Sequence, residues 1–193
     1  MTTAMTRTVA GETIPVAGTW SLDPSHTSVE FSVRHLGLAK VRGRFGSFTG
    51  DIVIAEDPAQ SNVNVAVEVA SIDTRDETRD AHLRTNDFFS APEFPTMTFA
   101  STSVTGPGTE CKVTGDLTIR GITKQVTLAA TFGGTATDPW GGSRAAFSAT
   151  AEVDRGDFDM TWNTALEGGG FLVGKKVKIE IEAEAILQVA AEG

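Results

Sequence analysis

The C-terminal part of the chain alternates between apolar and charged residues with a period of two. Val177, Ile179, Ile181, Ala183, Ala185, Leu187 and Val189 are apolar, whereas Lys176, Lys178, Glu180, Glu182 and Glu184 are charged. Successive side chains of a β-strand point to opposite faces of a sheet. The pattern therefore predicts a long strand with one buried face and one wet face.

The same parity recurs along most of the chain. Further strands are predicted at 29–35, 63–69, 113–119, 126–132 and 145–153, where β-branched residues are frequent. Turn-forming residues such as Glu56-Asp57-Pro58 separate them, and no long helical period intervenes. About eight strands joined mainly by hairpins predict an all-β antiparallel barrel or sandwich. Strands of more than about ten residues with one apolar face favour the barrel.

Length and cysteine content indicate one domain that does not depend on disulfides. The chain has 193 residues and a single cysteine, Cys111, which cannot form an internal disulfide. Residues 1–18 are small, polar and aperiodic, so we expect a flexible leader before a barrel domain at 19–190. The sequence shows no secretory signal and no apolar run of transmembrane length, which predicts a cytoplasmic location and no stable membrane insertion.

The charge balance limits the classes of partner. The net charge is −9 and the pI is about 4.8. Nucleic acids and anionic membrane surfaces both attract clustered Lys and Arg. The overall charge therefore argues against either as a partner.

The interior of the predicted barrel could be filled or hollow. An eight-stranded barrel is about the size at which side chains fill the interior or one small ligand is enclosed. The apolar faces mix Phe31, Phe99, Phe132 and Phe147 with small residues. Small residues leave room for an apolar guest, but they also let large residues interdigitate. Composition leaves both interpretations open.

One polar segment, residues 74–95, interrupts the strand pattern. Asp73 or Asp76 can cap a short helix that ends near residue 85, and Asp80 and Arg84 have the spacing of a surface ion pair. Phe88, Phe89 and Phe94 follow, and they would anchor the segment across one barrel end. The segment is then either a plug or a lid. As a lid it would admit an apolar ligand, with Arg79, His82 or Arg84 facing the polar head.

Catalytic and metal sites have little support in the sequence. His26, His35 and His82 lack the spacing of metal-ligand motifs, Cys111 has no neighbouring His, and no nucleophile elbow is present. His35 ends a buried strand face, where it is either a rim residue or a contact for a ligand head. We predict no catalytic residue, no metal and no cofactor. The enzymatic alternative uses His82 with Asp80 or Asp87 as acid and base.

Several ordered blocks of the chain form one recognisable set, at 20–35, 41–45, 72–74, 79–84, 87–89, 94–99, 115–124 and 154–158. Together these blocks resemble the YceI-like polyisoprenoid-binding family. The resemblance implies an extended, lipocalin-like, eight-stranded barrel with an elongated cavity for a long isoprenoid chain, often in a homodimer. Two departures are the missing secretory signal and Asp159, which stands where the family usually has glycine.

Candidate ligand-binding residues follow from these blocks and from the polar segment. They are Phe31, Val33, His35, Phe45, His82, Arg84, Phe89, Phe99, Leu117, Ile119 and Phe158. The predicted function is binding, sequestration or transport of a long-chain isoprenoid lipid of the polyprenyl phosphate or isoprenoid quinone type. The alternatives are a hydrolase or other enzyme acting on such lipids, and a stress-related structural protein without a ligand.

Overall fold

The computed structural model describes residues 5–106, 108–167 and 169–188. Residues 1–4 of the predicted leader, Val189 of the predicted last strand and residue 190 of the predicted domain end lie outside the described residues. The strands are β1 (Thr6–Val9), β2 (Glu12–Pro15), β3 (Gly18–Leu22), β4 (Ser28–His35), β5 (Ala39–Phe45), β6 (Phe48–Ile54), β7 (Asn62–Glu68), β8 (Ile72–Asp73), β9 (Thr96–Thr105), β10 (Glu110–Ile119), β11 (Ile122–Thr137), β12 (Ser143–Asp154) and β13 (Val173–Leu187).

Eight antiparallel strands close into a barrel. Their order is β3-β6-β7-β9-β10-β11-β12-β13, and β13 returns to β3. The strand predicted from the C-terminal alternation is β13, which pairs with β12 over residues 144–154. The predicted all-β antiparallel eight-stranded barrel is confirmed.

A three-stranded extension, β4-β5-β8, lengthens the barrel at one end. β13 pairs with β3 through residues 185–187 and with β4 through residues 173–182, so β3 and β4 follow one another along the same side of β13. The α-helix α1 (Glu77–Leu83), the 3-10 turn Arg155–Phe158 and the loop at 164–172 also lie at this end. We call it the helix end. The opposite end carries β1, β2 and the turn at 138–142, and we call it the hairpin end.

The buried residues form separate clusters towards the two ends. At the hairpin end, Trp20 is completely buried against Ile52, Ala145 and Ala185. Towards the helix end, one cluster is built around Phe45 and Ile72, and another contains Leu117, Ile119, Phe158 and Met160. The space between these clusters is not filled by side chains.

Residues 6–15 do not follow the expectation of a flexible leader. β1 and β2 pair as a hairpin, the side chain of Ile14 is buried, and Arg7 forms a 2.8 Å ion pair with Glu56. Short strands rich in Thr carry a weak alternation signal, which explains why the hairpin is missed. The start of the barrel domain at residue 19 stays a prediction.

The predicted helix is present as α1, but the predicted Asp80–Arg84 ion pair is wrong. Asp76 caps the helix by accepting a hydrogen bond from the Arg79 amide at 3.0 Å. Asp80 is buried and accepts from the amide and hydroxyl of Thr74, because its side of α1 faces the barrel. Arg84 instead donates to backbone carbonyls. The described residues contain no helix that is long and apolar enough to cross a membrane.

Trp20 provides a test of the hairpin-end core. Trp20→Ala removes a fully buried side chain, so we expect a loss of about 3–5 kcal/mol in the free energy of unfolding. Trp140 is 87% exposed, so Trp140→Ala is the matched control and should change stability by less than about 0.5 kcal/mol. Urea unfolding of both variants measures the difference. Equal losses would contradict the assignment of Trp20 to the core.

Candidate ligand-binding cavity

The barrel encloses an elongated apolar cavity of about 600 Å³ between the end clusters. This volume lies within the range typical of sites for small organic ligands. Its apolar lining along β11 consists of Val126, Leu128, Ala130 and Phe132, and Thr131 also contributes. These positions span six residues, or roughly 20 Å at about 3.4 Å per residue. A long, narrow guest fits this shape better than a compact one.

The apolar lining follows directly from the period-two pattern. Val63, Val65 and Val67 of β7 and Val177, Ile179, Ile181 and Ala183 of β13 face inward at alternate positions. The intervening residues of β13 carry the charges on the outer face. The alternation that predicts the strands therefore also produces the cavity wall.

Small inward residues have two different roles. A Cβ added at Gly115 would lie 2.6 Å from Cζ of Phe99, so this glycine makes room for the aromatic ring. Ala130 and Ala149 are register partners on β11 and β12, and both line the cavity. Both predicted roles of small residues therefore occur in this barrel. Gly115 lets a large side chain interdigitate, whereas the alanine pair leaves open volume.

Most of the predicted ligand-binding residues reach the cavity wall. The seven that line it are Phe31, Val33, Phe45, Phe89, Phe99, Leu117 and Ile119. Phe158 is buried in the helix-end core rather than in the wall. His35, His82 and Arg84 also lie outside the described lining. A ligand-binding role for any of these residues stays a prediction.

His82 and Arg84 hold the helix end together. His82 Nε2 lies 2.8 Å from Asp87 Oδ2, and its ring packs edge-on against Phe88 and Trp162. Arg84 donates to the carbonyl oxygens of Ala70 at 2.9 Å and Ile72 at 2.8 Å. Leu83, Phe88 and Phe89 of the same segment line the cavity. The polar segment therefore covers this end with its apolar side chains.

Arg155 is a cavity residue that was absent from the predicted set. It is only 5% exposed and lines the cavity close to Met160 and Val173. Its guanidinium donates to the carbonyl oxygens of Gly174, Met160, Trp162 and Val173. In the described part of the chain it forms no ion pair, and burial lowers its pKa. A positive charge that has no direct ion-pair partner thus lies at the helix end of an apolar cavity, although the charge of neighbouring Asp154 partly opposes the effect of burial on its pKa.

The comparison with known families agrees with this architecture. The YceI-like domain matches residues 20–185. The chain belongs to the YceI-like family. Protein YceI of Escherichia coli O157:H7 is 42% identical over 148 residues, which cover 75% of this chain and 78% of that protein.

Solved structures share the YceI-like barrel. A YCEI protein of Campylobacter jejuni has 30% identity and a TM-score of 0.69, covering 81% of this chain and 90% of that one. A polyisoprenoid binding domain from Saccharophagus degradans, described as implicated in plant cell wall breakdown, has 13% identity and a TM-score of 0.64. That match covers 90% of this chain and all of the other, and at this identity it shows the fold alone.

The predicted departure from the family pattern at Asp159 stays a prediction, but the structure shows the conformation of this residue. It follows the 3-10 turn Arg155–Phe158 and has a left-handed backbone with φ of 58°. Glycine adopts this conformation without strain, and Asp is among the side chains that tolerate it. An aspartate can therefore occupy this left-handed position at little cost. It also brings a carboxylate 3.6 Å from Arg120.

A second cluster of ligand-type side chains in this YceI-like domain lies at the hairpin end. Potential metal-ligand atoms of Asp23, His26 and Glu184 lie within 4.8 Å of one another. Arg144 donates to Asp23 at 2.6 Å, to Glu184 at 2.5 Å and to Asp138 at 2.9 Å. A cationic side chain thus already occupies these carboxylates as their hydrogen-bond and ion-pair partner. Hydrogen bonds from Ser25 and then Arg144 lower the pKa of Asp23, and Arg144 is the largest cause of the lowered pKa of Asp138.

Removing this arginine should alter the dependence of stability on pH. Carboxyl groups whose pKa is lowered by folding stabilise the protein above their unfolded pKa, and this stabilisation is lost as the pH falls through the folded value. Arg144→Gln should therefore lower Tm at pH 7 and flatten the fall of Tm below about pH 4, near the unfolded Asp pKa. Thermal unfolding from pH 7 to pH 2 measures this. The same Tm loss at every pH would contradict the electrostatic role.

Proposed function

We propose that this YceI-like domain binds a long-chain isoprenoid lipid and sequesters or transports it with the tail inside the barrel. The elongated apolar cavity of about 600 Å³ carries this proposal. Transfer of apolar chain from water contributes about 0.8 kcal/mol per CH₂ group, so a long tail supplies high affinity without a specific polar site. The fold neighbour described as a polyisoprenoid binding domain adds support from similarity.

The cavity favours this proposal over a filled structural barrel. Large side chains form the end clusters, whereas Ala130, Ala149 and Ala183 line the space between them. A barrel whose only role was packing would gain stability by filling this volume, because empty space forfeits dispersion contacts. The open interior supports a ligand.

The position of His82 favours a binding protein over an enzyme. His82 and Asp87 are paired, as an acid and base could be, but neither belongs to the described cavity lining. The ring of His82 is held between Phe88 and Trp162. A tail enclosed by the barrel would therefore lie behind apolar side chains, away from this pair.

Arg155 favours an anionic head group over a neutral quinone. A buried guanidinium without a carboxylate partner is electrostatically costly, and a phosphate would supply the missing negative charge. Its place at the helix end puts that charge at one end of the tail's path. We therefore propose the polyprenyl phosphate type, with the head near Arg155 and the tail running towards Trp20. The homodimer, the transport role and the cytoplasmic location stay predictions.

The alanine pair provides the test of the tail site. Ala130→Phe fills the middle of the cavity, whereas Ala129→Phe places the same ring at the neighbouring exposed position of β11. Loss of room for two CH₂ groups is worth about 1.6 kcal/mol, so Ala130→Phe should raise the Kd for decaprenyl phosphate more than about tenfold. Ala129→Phe should bind like the unchanged protein. Titration of delipidated protein in dilute detergent measures both.

Two results would contradict the tail site. One is equal affinity of both Phe variants for decaprenyl phosphate, with circular dichroism showing both folded. The other is protein that emerges empty from organic extraction and mass spectrometry and also fails to bind added decaprenyl phosphate or decaprenol.

A comparison of head groups tests Arg155 separately from the tail site. Decaprenyl phosphate should bind at least about tenfold more tightly than decaprenol, because a charge-assisted hydrogen bond contributes about 1.5–3 kcal/mol. Arg155→Met should bring this ratio close to one, whatever its effect on stability. A ratio near one in the unchanged protein would contradict the anionic head group and would leave the tail site standing.

A further inference from the structure

Three large apolar side chains are exposed together at the helix end. Leu38 is 77% exposed, Phe171 is 58% exposed and Leu36 is 40% exposed. Leu36 and Leu38 form the turn between β4 and β5, and Phe171 precedes β13. The Leu36 amide donates to the Leu172 carbonyl at 2.9 Å, so the two segments lie side by side. We call Leu36, Leu38 and Phe171 the apolar tip.

The apolar tip adjoins the wall of the cavity. Val33 on β4 and Val173 on β13 both line the cavity, and Val173 is the register partner of His35. Leu36 follows His35 directly, and Phe171 stands two residues before Val173. Apolar surface therefore continues from the cavity wall towards the exposed turn. Isolated exposed apolar residues are common, but a group continuous with a ligand cavity has functional meaning.

Exposed cations surround the apolar tip. Arg34, Lys40, Arg42 and Lys175 are all exposed, and none of them forms an ion pair in the described ranges. We call these four residues the basic rim. Two carboxylates lie near the basic rim, Glu167 in the loop before Phe171 and Glu180 on β13. The pKa of Glu180 is lowered mainly by a hydrogen bond from Lys178, and the charges of Arg42 and Lys40 add to this effect.

The rim includes a pairing that disfavours the folded sheet. Arg34 and Lys40 are direct register partners on β4 and β5. Like charges directly opposite one another on neighbouring strands are destabilising. Four residues earlier on β4, Glu30 faces Arg44 in a favourable pairing. The like-charge pair next to the turn thus keeps positive charge beside the apolar tip at a cost in stability.

The net charge of −9 does not describe this surface. At physiological ionic strength, charges separated by more than about 8 Å are largely screened from one another. The potential near the apolar tip is therefore set by the four cations of the basic rim against the two nearby carboxylates, Glu167 and Glu180, and not by carboxylates elsewhere on the barrel. Exposed apolar groups among Lys and Arg match the composition of an anionic bilayer surface, with acyl chains beneath negative head groups.

We propose that the apolar tip and the basic rim dock the helix end onto an anionic lipid bilayer. Docking would place the helix end of the cavity against the bilayer from which the protein takes its isoprenoid lipid. This role of the docking surface rests on the proposed binding of an isoprenoid. A second copy of the chain is a poorer occupant, because it would bring an identical set of positive charges against the rim. This contact lies at the membrane surface and needs no spanning segment.

Vesicle cosedimentation of the full chain tests the docking without any isoprenoid. The protein should bind vesicles of phosphatidylcholine with one third phosphatidylglycerol, and should bind pure phosphatidylcholine at least about tenfold more weakly. Each cation near an anionic surface contributes about a fivefold factor in binding, so Lys40→Gln with Arg42→Gln should lower partition about twenty-five-fold. Raising the salt concentration from 50 to 300 mM should weaken binding of the unchanged protein.

Matched variants separate the apolar tip from general surface effects. Leu38→Ser with Phe171→Ser should lower partition at least about tenfold. The controls are Trp140→Ser, which changes an exposed aromatic residue at the hairpin end, and Lys112→Gln, which removes an exposed cation near that end. Both controls should bind vesicles like the unchanged protein. Circular dichroism should show all variants folded, because every changed side chain is exposed.

The outcomes distinguish docking from lipid binding. Leu38→Ser with Phe171→Ser should still bind decaprenyl phosphate from detergent, while its extraction of that lipid from anionic vesicles slows at least about tenfold. Ala130→Phe should dock normally. The docking proposal is overturned if the unchanged protein does not bind anionic vesicles, or if the control variants lose as much vesicle binding as the tip variants. It is also overturned if sedimentation velocity shows that the apolar tip mediates self-association and the tip variants bind vesicles normally. Loss of decaprenyl phosphate binding by every protein would overturn the proposed function and leave the vesicle result intact.

Discussion

The register of β13 is the constraint on which the rest of the structure depends. This strand pairs with β12 on one side and with β4 and then β3 on the other, so it closes the barrel and joins its extension. A shift of one residue would turn Lys176, Lys178 and Glu180 into the cavity and their apolar neighbours into water. The burial of unpaired charge makes that alternative very costly. The alternation therefore fixes the register, and the register fixes which side chains form the wall.

Sequence patterns predict the parts of the site that are carried by regular strands. Phe31, Val33, Phe99 and Leu117 reach the wall because parity along a strand decides the face of each side chain. Strand parity does not predict the direction of side chains that lie outside strands. Phe158 belongs to a 3-10 turn that buries it behind the wall, and His82 sits on a helix whose orientation depends on tertiary contacts. Arg155 is missed for a related reason, since the carbonyl groups that hold it come from irregular segments and strand ends such as Trp162 and Gly174, which follow no period in the sequence.

Composition cannot predict whether the barrel is hollow, because the answer depends on which residues face one another. Gly115 is small and inward, yet the Phe99 ring occupies the space beside it. Ala130 is also small and inward, but its register partner Ala149 is small too. Only the pairing of β11 with β12 turns two ordinary alanines into open volume. A cavity of this kind depends on the strand register and cannot be predicted from amino-acid composition.

The two ends of the cavity differ in charge, and this difference favours one orientation of a bound amphiphile. At the hairpin end, Trp20 seals the core, and the positive charge of Arg144 is matched by three carboxylates. At the helix end, Arg155 is buried among carbonyl oxygens, and the exposed cations of the rim surround an apolar turn. An amphiphile with a negative head is therefore favoured in one orientation, with its tail towards Trp20.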